Sequence, residues 1–438
     1  MRRVLIISYY WPPTGGSGVQ RWVKFCKHLP SLGWQSVVYT PENPEQLAVD
    51  ESLLKDIPES VEVIRTPIRE PYEVYRKLSG AKGGKQSEVT PLNSGRKSWK
   101  KKLAVWVRGN LFIPDPRVSW VSPSVKYLRK YLEDNPVDVI ITTGPPQSMH
   151  LIGRKLMRSI RKSAPQTKWV ADFRDPWTEM FYFKHLGLWP LAKCIHRRME
   201  QSVLDEADAV ISVTPLVRKD FELKTKTPVW LITNGFDEDD FKVAERGYAR
   251  SGRFTIVHTG LFAADGNPIA LWTALRRLCD ADDAFAEKLE IRLAGKVDRE
   301  ITDAIEAAGL ADRLTNLGYL PHDGTVVEQR SASVLILPLR QEPEYRKVLP
   351  GKIFEYLAAR RPVLGIGQED GAAANVLEST RSGVMFDWNE SGRMEEFLRA
   401  RWDEFRSGGE KQIDSDISAY SRRALTESLV SKLESLFQ

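Results

Sequence analysis

The sequence of 438 residues has little cysteine and no long apolar segment. Its three cysteines, Cys26, Cys194 and Cys279, lie far apart, with no CxxC pair and no histidine at ligand spacing. This excludes a disulfide framework and a zinc module and favours a reducing compartment. No run approaches the ~18 consecutive apolar residues that a membrane-spanning helix needs. Only four apolar residues separate Arg3 from Ser8, which predicts a core strand rather than a signal peptide and hence a cytoplasmic protein.

Local signatures of several enzyme classes are also missing. After Gly16 and Gly18, the position that a dinucleotide-binding G-x-G-x-x-G loop requires as glycine is Arg21, which disfavours a nicotinamide or flavin enzyme. No Ser/His/Asp or Cys/His arrangement has a recognisable spacing, and no acidic cluster indicates a metal site. We therefore expect neither a cofactor nor a metal.

The net charge of +6 is concentrated in one segment. Between Arg76 and Arg108, ten Lys and Arg residues stand against one acid, so this segment carries +9 and the remaining chain −3. We predict a mobile basic insertion over 79–102, which leads into an aromatic and apolar run. Segment 76–108 can lie on an anionic membrane surface, as a peripheral protein of the inner face would. A solvated insertion whose tryptophans pack on the core explains the pattern equally, and nucleic acid is not an expected partner.

Short apolar runs alternate with amphipathic helical stretches along the whole chain. Most runs are apolar on both faces, as strands of a parallel sheet covered on both sides should be. The series restarts near residue 254, after a turn-rich segment that begins at Asn234. We predict an α/β protein of two doubly wound, Rossmann-like domains that face each other across a cleft, over 1–235 and 236–414. A final helix in 415–438 is expected to pack back on the first domain.

Candidate ligand-binding residues stand in the loops that follow strands, where such sheets bind their ligands. Gly15 and Gly16 lie between the first strand and a helix, so that the backbone can approach a ligand closely. In the same domain we single out three further residues as catalytic candidates, which are His150, Arg174 and Asp175. A structural histidine and an ion pair between domains are the alternative explanations of these three.

The second domain also contains candidate ligand-binding residues in the loops after its strands. His258 and Gly260 end its first strand, and Lys296 follows its second strand. Lys352 and Glu355 stand one turn apart at the start of a helix. A lysine there can neutralise diphosphate oxygens, and a carboxylate can accept hydrogen bonds from ribose hydroxyls. An ordinary i,i+3 ion pair explains the two residues equally well.

Four motifs together resemble a known family. They are Gly15-Gly16-x-x-x-x-Arg21, Asp172-Phe173-Arg174-Asp175-Pro176-Trp177, Asn234-Gly235-Phe236-Asp237 and Pro350-Gly351-Lys352-x-Phe354-Glu355-Tyr356-Leu357. Over essentially the whole chain the pattern resembles the retaining glycosyltransferases of family 4, which have the two-domain GT-B fold, and in particular bacterial members that build surface polysaccharides.

The resemblance implies a function for several residues. Glu355 would bind the donor ribose, Lys352 would reach the diphosphate, and Gly15 and Gly16 would lie beside the donor phosphates and the acceptor. Family members transfer a sugar from a nucleotide-diphosphate sugar to a hydroxyl with retention, generally without a metal. The implied partners are a nucleotide-sugar donor and a saccharide or lipid-linked acceptor, in polysaccharide, glycolipid or cell-envelope biosynthesis, with the first domain on the acceptor side and the second on the donor side.

The sequence departs from the family pattern in three places. Lys347 stands where the family has a first glutamate, Leu261 replaces a basic residue after the second domain's first strand, and Gln147 ends a segment that replaces a histidine. Arg346, Lys347, Lys296 or Lys352 can supply the missing positive charge. Two alternatives therefore stay open. One is a nucleotide-sugar epimerase on the same fold, and the other is a catalytically silent nucleotide-binding or recruitment protein.

Overall fold

A computed structural model describes residues 1–45, 49–70, 99–244, 252–409 and 412–438. The chain forms two compact units. The first comprises Met1–Thr233 and Leu425–Gln438, and the second comprises Asn234–Ala424. Most of the predicted mobile insertion over 79–102 lies outside the described residues.

The first unit contains one parallel sheet of seven strands. The strands are β1 (Arg2–Ile7), β2 (Trp34–Pro41), β3 (Glu62–Thr66), β4 (Val139–Gly144), β5 (Lys168–Phe173), β6 (Ala209–Ser212) and β7 (Val229–Leu231). Their order across the sheet is β3-β2-β1-β4-β5-β6-β7. The strand order reverses between β1 and β4, so the loops after these strands diverge at the edge where doubly wound sheets bind ligands.

The second unit repeats the arrangement with a parallel sheet of six strands. The strands are β8 (Phe254–Thr259), β9 (Leu289–Ala294), β10 (Leu314–Gly318), β11 (Val334–Pro338), β12 (Val363–Ile366) and β13 (Gly383–Phe386). Their order is β10-β9-β8-β11-β12-β13, with the reversal between β8 and β11. The predicted α/β class with two doubly wound parallel sheets is confirmed.

Helices connect the strands in both units. Up to Thr233 they are α1 (Ser17–His28), α2 (Trp99–Leu111), α3 (Val118–Asp134), α4 (Ser148–Ile160), α5 (Pro190–Glu206) and α6 (Pro215–Lys224). The later helices are α7 (Glu238–Ala244), α8 (Ile269–Ala281), α9 (Asp283–Lys288), α10 (Arg299–Ala307), α11 (His322–Ser331), α12 (Lys352–Ala359), α13 (Ala372–Ser379), α14 (Ser391–Arg406) and α15 (Arg422–Glu434).

The first sheet is buried on both faces. Alternate residues of β1 enter opposite cores, with Leu5 and Ile7 on one side and Val4 and Ile6 on the other. Because every one of these side chains is apolar, the strand shows no polar alternation in the sequence. The last helix contributes Leu425, Leu429, Val430 and Leu433 to the core that contains Val4, an apolar stripe at helical spacing.

A buried ion pair crosses this core. Arg21 in α1 and Asp172 in β5 are both fully buried, and Arg21 Nη2 and Nε lie 3.0 and 3.2 Å from the two carboxylate oxygens. Thr143 Oγ1 and Trp22 Nε1 also donate to Asp172, each at 2.9 Å. Burial alone would raise the pKa of Asp172, but the Arg21 charge and these hydrogen bonds outweigh burial and hold the pKa below its usual value.

The substitution Asp172→Asn should therefore lower the free energy of unfolding of the first unit by about 3–5 kcal/mol, because it leaves the Arg21 guanidinium buried without its counter-charge. Amide hydrogen exchange of β4 and β5 measures this free energy of opening. The matched control is Glu222→Gln, which breaks the exposed Arg218–Glu222 pair on α6 and should cost less than ~0.5 kcal/mol. Equal effects of the two substitutions would contradict the structural role of the buried pair.

Candidate functional site

Two glycines shape the backbone at the carboxyl ends of β8 and β9. Gly260 has a φ of +95° and Gly295 a φ of +121°. The Gly260 amide donates to the Ala294 carbonyl at 2.7 Å, and a Cβ on Gly295 would overlap the Gly260 carbonyl oxygen. The two loops can touch in this way only because neither residue has a side chain. The result is a stretch of backbone that a ligand can approach.

Lys352 begins α12 and reaches this backbone. Its Nζ lies 3.2 Å from His258 Nε2 and 3.3 Å from the Leu261 carbonyl oxygen, and 3.5 Å from the position of a Cβ on Gly260. Burial lowers the pKa of Lys352 to about 8, although Glu355 opposes this shift. The structure thus brings together three of the predicted donor-site residues and supplies a cation beside Leu261, where the family has a basic residue.

His258 is fully buried under this lysine. Burial, and then the Lys352 charge, move the pKa of His258 well below its usual value, so the ring is neutral. A neutral ring that donates from Nδ1 to the Ile336 carbonyl, 3.2 Å away, can accept from Lys352 at Nε2. We therefore interpret His258 as a residue that positions the lysine.

Glu355 lies one turn after Lys352, and Gln329 of α11 orients it. Gln329 Nε2 donates to Glu355 Oε2 at 2.9 Å and to Thr259 Oγ1 at 3.0 Å. No motif in the sequence indicates Gln329, because a single polar residue in an amphipathic helix is ordinary. Lys296 is exposed, and no contact among the described residues joins its side chain to Lys352.

In the first unit the predicted residues lie at the carboxyl ends of β4 and β5 and in the loop after β1. The Arg174 amide and Nε donate to the Gly144 carbonyl at 3.0 and 3.3 Å, and Nη2 donates to the Pro145 carbonyl. A Cβ on Gly18, at the start of α1, would overlap the Arg174 guanidinium. Arg174 thereby joins these loops, and Gly15 and Gly16 stand just ahead of α1 in the same segment.

Buried polar atoms of His150 and Gln147 pack closely against Gly144, in the loop whose carbonyls accept from Arg174. His150 Nδ1 pairs with Thr142 Oγ1 at 2.9 Å, whereas His150 Nε2 and both amide atoms of Gln147 lack a hydrogen-bond partner among the described residues. A Cβ on Gly144 would lie 2.6 Å from His150 Nε2 and 2.7 Å from Gln147 Oε1. Burial lowers the pKa of His150 to about 3, so the ring is neutral. Because unpaired buried polar groups are costly, these atoms are candidates for hydrogen bonds to a ligand hydroxyl.

Gln147 and Asp175 also belong to this region. Gln147 was not singled out as a site residue, although it stands in the segment that replaces the family histidine. Asp175 follows β5 and is partly buried. Burial raises the pKa of Asp175, and the Arg174 charge opposes the shift. A carboxylate with a raised pKa can accept a proton from a hydroxyl more readily than an ordinary one.

Two features are absent from the described ranges. No helix there is both long and apolar enough to cross a membrane. No group of three or more His, Cys, Asp or Glu side chains in these ranges is arranged to hold a metal ion.

Gly295→Ala should weaken ligand binding at the Lys352 backbone pocket by at least about tenfold, because the added Cβ must push the Gly260 loop away. Gly309→Ala is the control, since Gly309 also has a positive φ of +71° but its Cβ would meet only the Arg276 side chain at 3.5 Å. Calorimetric titration with nucleoside diphosphates measures both variants. Equal affinities for the two would show that the contact between the loops does not shape the site.

Comparisons with known proteins concern the enzyme class and the fold. Residues 253–400 match the family model "Glycosyl transferases group 1". Sucrose-phosphate synthase from Thermosynechococcus elongatus is 15% identical, with a TM-score of 0.62 over 100% of this chain and 99% of that chain. An α,α-trehalose-phosphate synthase from Burkholderia xenovorans is 13% identical, with a TM-score of 0.59 over 99% of this chain and 100% of that chain.

A Listeria monocytogenes protein described as a UDP-N-acetylglucosamine 2-epimerase is 12% identical, with a TM-score of 0.58 over 99% of this chain and 96% of that chain. At these identities the structural likeness shows the fold alone. A search among curated proteins finds no match. Residues 253–400 thus resemble a group 1 glycosyltransferase domain, and together with the GT-B fold this match supports a glycosyltransferase.

Proposed function

We propose that the chain is a retaining glycosyltransferase that moves a sugar from a nucleotide-diphosphate sugar to a hydroxyl acceptor. The observation that carries the proposal is the Lys352 ammonium held against the backbone of Gly260, with Glu355 one turn further along α12. The lysine supplies positive charge for a leaving diphosphate, and the carboxylate suits a pair of ribose hydroxyls. The family match over 253–400 favours sugar transfer over the epimerase and the silent binding protein.

For the acceptor we propose the buried polar groups of His150 and Gln147 in the first unit, together with Arg174 and Asp175. His150 Nε2 and the Gln147 amide would bind a hydroxyl of a sugar, and Asp175 would accept the proton of the attacking hydroxyl. Arg174 would stabilise negative charge that develops nearby, since its guanidinium is fixed by two backbone carbonyls. Support for these assignments comes from the unpartnered buried atoms and from the raised pKa of Asp175.

We further propose that transfer needs no metal, because Lys352 provides the charge that a divalent cation would otherwise supply. The product would enter polysaccharide, glycolipid or cell-envelope assembly on the cytoplasmic side of the membrane, with a saccharide or lipid-linked acceptor. This part of the proposal rests on the resemblance of the sequence motifs. Activity that persists in a chelator, and an unchanged anomeric configuration of the transferred sugar in NMR spectra, are the expected results.

Calorimetry with UDP, GDP, ADP and their common sugars tests the donor site. One diphosphate should bind, and Lys352→Ala and Glu355→Ala should each weaken binding by at least about tenfold through loss of a charged contact. The control is Lys296→Ala, because that side chain is exposed and joins no described contact with Lys352. If no nucleotide binds to the wild-type protein, the donor site, and with it the proposed function, is wrong.

The affinity for the diphosphate in this titration should decrease with increasing pH. Since the pKa of Lys352 is about 8, the ammonium is present below this pH and is lost above it. Diphosphate affinity should therefore fall as the pH rises from about 7 to about 9. Lys352→Arg should flatten this slope, because a guanidinium stays charged throughout the range.

Asp175→Asn should leave donor affinity unchanged and lower the rate of sugar transfer by about a hundredfold or more, since the amide cannot accept a proton. Once the donor is known, its turnover with an acceptor measures the rate. His150→Gln should instead raise the KM for the acceptor. If Asp175→Asn reduces donor affinity as strongly as Lys352→Ala, the carboxylate belongs to the donor site and the assignment is wrong.

A further inference from the structure

We propose that the first unit docks on an anionic lipid bilayer through an apolar ridge formed by Leu103, Leu111, Trp189 and Leu191. The sequence predicted membrane contact only for 76–108, much of which lies outside the described residues. The structure adds a second element, the start of α5, that is far away in the sequence. The proposal does not depend on the sugar transfer proposed above.

The ridge consists of large apolar side chains that face solvent. The exposed fractions are 43% for Leu103, 66% for Leu111, 57% for Trp189 and 69% for Leu191. Single exposed apolar residues are common on protein surfaces, but a group of them on two adjacent elements marks an interaction site.

Contacts between the two elements make the ridge one surface. Trp106 and Trp189 pack edge to face with ring centroids 4.9 Å apart. Asn110 accepts from the Trp189 amide at 2.8 Å and donates to the Gly187 carbonyl at 3.3 Å. Leu103 precedes Trp106, Asn110 and Leu111 by three, seven and eight residues, spacings that place all three on its side of α2. Trp189 is therefore held beside Leu103 and Leu111, the exposed leucines of α2.

The two sequence segments that form the ridge carry positively charged residues and no acidic ones. The sequence of α2 contains four Lys and Arg and no acid, and so does the segment 180–199. Lys193, Arg197 and Arg198 are exposed on α5. Of the next acids along the chain, Glu179 pairs with Lys224, Glu200 accepts from the Trp177 and Thr178 amides, and Asp115 accepts from Ser148.

This combination of features selects an anionic bilayer as the occupant. Tryptophan and leucine tips suit the boundary between headgroups and acyl chains, and the surrounding cations suit anionic headgroups. An acidic protein surface would satisfy the cations but offers no general receptor for four protruding apolar side chains. Other occupants are outcomes of the test.

Flotation of the full chain with lipid vesicles tests the proposal. The protein should bind vesicles of phosphatidylcholine that contain phosphatidylglycerol and should bind poorly to vesicles of phosphatidylcholine alone. The double substitution Trp189→Ser and Leu191→Ser should weaken binding by at least about tenfold, because it removes the inserted apolar area. The matched control is Leu223→Ser, which removes another apolar side chain of the same unit that is 88% exposed.

A fluorescent label provides a second measurement that does not depend on any substitution in the ridge. Of the three cysteines only Cys194 is exposed, and it lies one turn after Leu191 on α5. An environment-sensitive dye on Cys194 should shift to the blue when anionic vesicles are added. The same dye on Leu223→Cys, in a Cys194→Ser background, should not shift.

Several results would overturn the proposal. Vesicle binding that is absent in the wild type, or equal in the ridge variant and the Leu223→Ser control, would do so. A dimer in light scattering that the ridge substitutions convert to a monomer, without a change in flotation, would identify the ridge as an interface between two copies. Lys352→Ala should lose nucleotide binding and keep vesicle binding, so failure of the donor site and failure of the docking surface are distinguishable.

Discussion

The buried pair between Arg21 and Asp172 is the interaction on which the first unit depends. Arg21 comes from the first helix and Asp172 from the end of β5, so one contact fixes a helix against the middle of the sheet. The same guanidinium donates to the carbonyls of Ile232 and Thr233 at 2.9 and 2.8 Å. These are the last residues of the unit before Asn234. A single charged side chain thus orders the region where the site residues stand and the point where the chain leaves the unit.

The site of the second unit depends mainly on backbone conformation rather than on a buried ion pair. Its site is made of backbone, because Gly260 and Gly295 allow two loops to touch at the ends of neighbouring strands. The cation at that backbone is Lys352, and its burial makes the charge costly to maintain. The neutral ring of His258 and the carbonyl of Leu261 are the groups that compensate this cost.

Much of the fold could be predicted because its causes are local. Strands covered on both faces must be apolar throughout, so runs such as Val4–Ile7 identify β1 without knowledge of its neighbours. The glycines and Lys352 were also visible, since each stands where a strand or helix begins or ends. The partners of these residues were not visible. Gln329 orients Glu355 from another helix, and Trp189 joins α2 although roughly eighty residues separate them in the sequence. Such contacts depend on packing between distant segments, which no local pattern encodes.

The partly buried lysine also has a consequence for the heat of ligand binding. A diphosphate bound beside Lys352 would raise the pKa of its ammonium again, because an opposite charge stabilises the protonated form. Near pH 8, where about half of the free protein lacks this proton, binding would draw about half a proton from the solution. The observed enthalpy would then contain the ionisation enthalpy of the buffer, and it would differ between phosphate and Tris even though the protein and its ligand are the same.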